Sequence, residues 1–209
     1  MLRTALLCIG LVIGGYAAAA WLTHDFQVWT AEGARRLEVA LQPVPAPPVR
    51  VDGPGLPVQP LAQLLADGRT VTIVDFVYTR CQTVCLALGT VFQQLQLALG
   101  SDDAGGRVRL LSVSFDPVND TPQALSGYAA RMNADPSRWR FVRAADAQQT
   151  QRLLAAFQVV VVPDGRGDYE HNAALLVIDR RGRLVRVFDY SEQQLALDYA
   201  RDLASRPKP

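Results

Sequence analysis

Cysteine is scarce in this chain: 3 among 209 residues, beside only 2 histidines. Three cysteines are too few for a disulfide scaffold. Any metal site must draw on a short roll of soft and imidazole ligands. An excess of either charge is also lacking, with 21 Lys and Arg against 20 Asp and Glu and a net charge of +1. The charges are dispersed, so there is no basic footprint for nucleic acid and no acidic tail. Nucleic acid is therefore excluded as an expected partner. There is no internal repeat, and one long apolar run only. Nearly half the residues are apolar, enough to bury a sizeable core.

That one run is N-terminal. Arg3 precedes a charge-free stretch from Thr4 to Thr23, about the length a helix needs to cross a bilayer. Trp21 sits where an interfacial aromatic belongs, and Arg3 on the short side predicts the N-terminus inside. A cleavable signal peptide is the rival reading, with small residues at Ala17 to Ala20. The run is longer than a usual signal core, which favours an uncleaved anchor. Either way the rest of the chain is expected in the periplasm, and as an uncleaved anchor the run holds it by a single pass of the inner membrane. Cys8 lies inside the run with Leu7 before it, which argues against a lipoprotein site and for a membrane-buried thiol. His24 reads as an interfacial residue.

The expected organisation is an anchor over residues 1–25, a stalk over 26–57 and a folded domain over 58–209. Seven prolines between Pro43 and Pro60 favour an extended spacer, its later part able to lie on the domain as an edge strand. Residues 1–48 are accordingly expected to be dispensable for folding. Beyond the prolines, "VTIVDFVY" (Val71 to Tyr78) and "VRLLSVSF" (Val108 to Phe115) read as strands buried on both faces. Val91, Leu95 and Leu99 fall at helical spacing between them. Thr121 and Pro122 form a helix start, and Asp146 caps a helix running to Phe157. "WRFV" is a short strand, and "AALLVIDRRGRLVRVFDY" is a hairpin turning at Arg180 to Gly182. Ser191 begins a closing helix. The order predicts an α/β fold, a thioredoxin-like central sheet with helices on both faces.

Cys81 and Cys85 stand four residues apart in "DFVYTRCQTVCLALG", where the first core strand turns into a helix. A helix start favours thiolates, and Arg80 adds positive charge. Three roles compete for the pair: a structural disulfide, a redox couple, or two soft metal ligands. A disulfide this local would remove little unfolded-state entropy. Thioredoxin-type exchange uses Cys-x-x-Cys, one residue shorter. Four residues in a helix share a face, and two thiolates there suit copper(I) or zinc. His171 precedes the strand beginning near Ala173, and a thioredoxin-like sheet brings that loop beside the cysteine turn. It is the expected third ligand.

Together these segments resemble the SCO/SenC proteins. The likeness rests on "DFVYTRCQTVCLALG", on "LLSVSFDPVNDTPQALSGYAARM" and on His171 before "LLVIDRRGRLV". It covers roughly Val58 to Ala204. The resemblance implies a copper metallochaperone that serves the binuclear copper centre of cytochrome c oxidase. Its copper ligands would be Cys81, Cys85 and His171. The partner would be the copper-receiving subunit of the oxidase or another periplasmic copper protein. The Cys81–Cys85 pair would double as a redox disulfide that blocks copper binding when closed. Asp116, Asp120, Thr121 and Pro122 match the middle signature and are read as a turn and a helix cap. Leu86 replaces the family's usual proline, and Glu170 its usual aspartate. The other function open to this sequence is a thiol–disulfide oxidoreductase that keeps a copper-receiving protein reduced.

Overall fold

The computed structural model describes residues 2–23, 25–26, 28–80, 84–102, 106–165 and 168–207, without the side chains of 84–87, 101 and 102. Cys81 and His24 lie outside the described residues, and Cys85 is described by its backbone alone. Two compact units separate between Glu38 and Val39. The first holds helix α1 (Leu2–Leu22), whose 21 residues are long and apolar enough to cross a membrane. Helix α2 (Ala31–Leu41) begins in this unit.

The second unit is built on one eight-stranded sheet. Its elements in chain order are β1 (Val44–Pro45), β2 (Arg50–Gly53), β3 (Leu56–Pro60), α3 (Leu61–Leu65), β4 (Val71–Val77), α4 (Val84–Asp102), β5 (Val108–Ser114) and α5 (Pro122–Arg131). There follow β6 (Trp139–Ala144), α6 (Ala147–Ala156), β7 (Val161–Pro163), β8 (Tyr169–His171), β9 (Ala174–Ile178), β10 (Arg183–Asp189) and α7 (Gln193–Ser205). The sheet runs β1-β10-β9-β4-β5-β6-β2-β3. At its centre β4, β5 and β6 are parallel, while β9 joins β4 antiparallel. Strands β7 and β8 form a separate small hairpin.

Both faces of the sheet are covered, which is why β4 reads as an unbroken run and all seven of its residues are buried. On one face, Val74, Phe76, Leu111 and Val113 pack with Leu61 and Leu65 of α3 and Leu153 of α6. On the other, Val71, Ile73, Leu110 and Trp139 meet a stripe of Leu88, Phe92, Leu95 and Leu99 on α4. Tyr128 of α5 and Leu197 of α7 complete that layer. Thr121 caps α5 by accepting from the Ala124 amide, with Pro122 at the first helical position, and Asp146 caps α6 through the Gln149 amide. The fold is thioredoxin-like, α/β with a curled mixed sheet.

The proline-rich stretch departs from a free stalk. From Val44 onward it contributes three strands to the sheet, and the prolines within those strands lie at its edges. Pro45, Pro57 and Pro60 fall on β1 and β3, the two edge strands. Strand β2, bonded on both sides, contains none. Gly53 closes β2 where an added Cβ would sit 2.1 Å from the Phe141 carbonyl oxygen. Val39, Val49 and Val51 are core residues. A chain beginning at Val49 loses β1 and the buried Val39 side chain, whose burial alone is worth about 1.5–3 kcal/mol. It is expected to melt several degrees below one beginning at Val39. Equal melting temperatures would show that β1 and Val39 add nothing.

Candidate functional site

The carboxyl ends of β4 and β5 lie side by side, with Ser114 registered opposite Val77. Tyr78, fully buried, continues from β4, and Phe115 from β5. Their rings meet at 5.1 Å between centroids. Tyr169 of β8 stands edge-on to both, at 5.2 and 5.6 Å. The Tyr78 hydroxyl donates to the Asp168 carboxylate, just before β8. This aromatic cluster docks the β7–β8 hairpin over the strand ends. His171, the last residue of β8, lays its ring against Phe115 at 5.3 Å. The half-buried imidazole thus reaches Tyr78, three residues before Cys81, through the Phe115 ring.

That turn is held from beneath by carboxylates. Asp120, fully buried, accepts from the Thr79 amide at 3.1 Å, from the Thr79 hydroxyl at 2.6 Å and from the Ser114 hydroxyl at 2.5 Å. Burial pushes its carboxyl above the ordinary value, and these hydrogen bonds oppose the rise. Asp116 pairs with Arg80 at 3.0 Å and accepts from the Asn119 side chain at 2.8 Å. So the signature read from sequence as a turn and a helix cap does more than that. Thr121 and Pro122 start α5, while Asp116 and Asp120 grip Thr79 and Arg80, the two residues before Cys81. The available signal was topological: two acids at the end of a strand parallel to the one that delivers the cysteines.

Helix α4 begins at Val84, so Cys85 and Leu86 lie in its first turn. There the amides lack helical acceptors, and the dipole favours a thiolate. Among the described residues no three His, Cys, Asp or Glu side chains gather to hold a metal. The distances between Cys81, Cys85 and His171 fall outside the description. A further acid sits deeper. Asp75 of β4 is fully buried and neither carboxylate oxygen has a hydrogen-bond partner of good geometry. Burial pushes its carboxyl up to about 7, against the opposing influence of the Ser112 hydroxyl across the β4–β5 pair.

Residues 60–205 match the SCO1/SenC family model. The chain belongs to the SCO1/SenC family. Among SCO1/SenC relatives, the SCO1 protein homolog of Bacillus subtilis is 24% identical over 159 residues, covering 71% of this chain and 81% of its own length. BsSco, described as a Sco-family cytochrome c oxidase assembly protein with a disulfide switch, superposes with a TM-score of 0.68 at 20% identity. That likeness spans 79% of this chain and 96% of BsSco. Bradyrhizobium japonicum ScoI, solved with copper bound, gives 0.62 at 23% identity, over 76% and 98% of the two chains. These likenesses establish a shared SCO1/SenC fold.

Proposed function

We propose that this chain is a membrane-anchored copper metallochaperone of cytochrome c oxidase assembly, with Cys81, Cys85 and His171 as its copper ligands. The observation that carries the reading is the aromatic cluster that seats His171 beside the exit of β4, the strand that leads into Cys81. Family membership supports it, as do a relative solved with copper and one described as an oxidase assembly protein. The donor set fits the cargo: two thiolates and one imidazole suit copper(I). Cys85 in the first turn of α4 is favoured as thiolate. The Asp120 and Asp116 contacts hold Thr79 and Arg80, the two residues before Cys81. Copper passes by ligand exchange to the copper-receiving subunit of the oxidase or to another periplasmic copper protein. A three-coordinate ion accepts an incoming donor before it loses one of its own.

Helix α1 is the anchor in this reading, with the second unit in the periplasm. Both thiols must be reduced to bind metal, so closing a Cys81–Cys85 disulfide switches binding off. The disulfide switch described for BsSco favours a second reading, in which the pair reduces the cysteines of a copper-receiving protein. The first reading is tested by copper stoichiometry and X-ray absorption on the reduced full chain in detergent. One copper per chain with two sulfur ligands and one nitrogen ligand is expected. All-oxygen or all-nitrogen ligation, or no retained copper, overturns it.

A further inference from the structure

At the end of the sheet where β4 and β5 begin, away from the carboxyl ends, two hollows adjoin. One, of about 500 Å³, is lined by Arg69, Arg107, Arg109, Arg180 and Arg206. The other, of about 480 Å³, shares Arg180 and Arg206 and adds Arg181 and Arg183. Gly68 lines both. This concentration of guanidinium groups stands out in a chain whose net charge is only +1.

The acids nearby are already engaged. Asp67 accepts from the Arg69 and Thr70 amides and the Thr70 hydroxyl, at 2.7 to 2.8 Å, and lies 3.7 Å from Arg109. Asp179 is held by Arg183 at 2.7 Å and by the amides of Arg181 and Arg183. Asp202 takes Arg206. Arg180 is fixed differently: its guanidinium donates to the Ala204 and Arg206 carbonyls at the end of α7, and its Nε is buried without a partner. Arg69 and Arg181 are exposed, and no carboxylate pairs with either among the described residues. The two adjoining hollows thus combine guanidinium groups held by acids or carbonyls with two exposed ones, Arg69 lining the first and Arg181 the second.

We propose that this arginine-lined hollow binds a phosphate-bearing anion. Guanidinium is the side chain whose planar fork matches phosphate oxygens two at a time. Several such groups held by their own acids and carbonyls meet the anion with little reorganisation. A hollow of this size takes a diphosphate or a phospholipid headgroup, and both sources present the same chemistry. The site lies apart from the cysteine turn and does not depend on the copper reading.

The test uses the full chain in neutral detergent micelles. Binding is followed by calorimetry in two arms: pyrophosphate in solution, and micelles doped with phosphatidylglycerol, with phosphatidylcholine as control. Saturable binding in at least one arm is expected, weakening as salt rises. The double variant Arg69→Glu, Arg181→Glu should bind at least 10-fold more weakly while its melting temperature is unchanged. Arg69→Gln, Arg181→Gln should fall between it and the parent. Binding in the pyrophosphate arm alone identifies a soluble ligand, and binding in the lipid arm alone a headgroup. No binding in either arm, or equal binding by parent and variants, overturns the proposal.

Discussion

His171→Ala is expected to lower the copper(I) affinity of the reduced chain by roughly 100-fold or more. Changing a residue that merely orients a metal ligand costs 10–100-fold, and loss of a ligand should cost no less. The fold should survive, because His171 is only half-buried, at the end of the β7–β8 hairpin. The ring contact with Phe115 is among what that end loses. The hairpin keeps its Tyr169 contacts with Tyr78 and Phe115. A fall in affinity at unchanged melting temperature would therefore report on ligation. The same variant separates the two functional readings. A reductase needs Cys81 and Cys85 but not the imidazole. If disulfide reduction is the task, His171→Ala keeps most activity toward an oxidised dithiol acceptor, whereas Cys81→Ser and Cys85→Ser abolish it. Affinity is measured by competition with a chelator and reduction on the same preparations. A His171→Ala chain that holds copper as tightly as its parent defeats the chaperone reading.

Where local chemistry decides structure, the sequence was legible. The buried runs of β4 and β5, the Thr121 and Asp146 caps and the β9–β10 hairpin are all visible in residue order. The closing helix is displaced by its cap, which is Asp189 and not Ser191: the Asp189 carboxylate accepts from the Ser191 amide, and the Glu192 carboxylate accepts from the Asp189 amide. That reciprocal pair starts a short 3-10 turn ahead of α7. Where partners decide structure, residue order says less. Proline argues against a strand unless the strand is known to be an edge, and edge status follows from the whole sheet order. The β7–β8 hairpin has Val162 exposed, as is Val160 just before it, and is docked by the Tyr78 and Phe115 rings that follow β4 and β5. Its existence depends on a surface formed elsewhere. The grip of Asp116 and Asp120 on Thr79 and Arg80 spans 36 to 41 residues of chain, and only the parallel pairing of β4 with β5 brings them together.

Asp75→Asn is expected to stabilise the protein strongly at pH 8 and much less at pH 5. An ionised carboxylate in a dry sheet face, with no hydrogen-bond partner of good geometry, loses its hydration without compensation. Ser112 of β5 is its registered neighbour, and Val71 and Ile73, which share its face of β4, belong to an apolar core layer. The carboxyl therefore keeps its proton up to about pH 7 in the folded chain, against 3.8 for an ordinary aspartate. Between those values the folded state binds a proton that the unfolded state has released, so raising the pH weakens the fold. The effect is absent below about pH 4 and complete above about pH 7. At about 1.36 kcal/mol per pH unit, the interval bounds the loss at about 4 kcal/mol. Asparagine has no charge to bury, and its unpaired amide costs about 1–3 kcal/mol at every pH, close to the cost of the protonated acid it replaces. Buried Asp120, also raised above its ordinary value, leaves a residual slope of the same sign in both proteins. Melting curves from pH 5 to 8 should accordingly diverge, the variant rising by several degrees relative to its parent at pH 8. Parallel curves would show that the Asp75 carboxylate is solvated in the native state and that its proton is not held by burial.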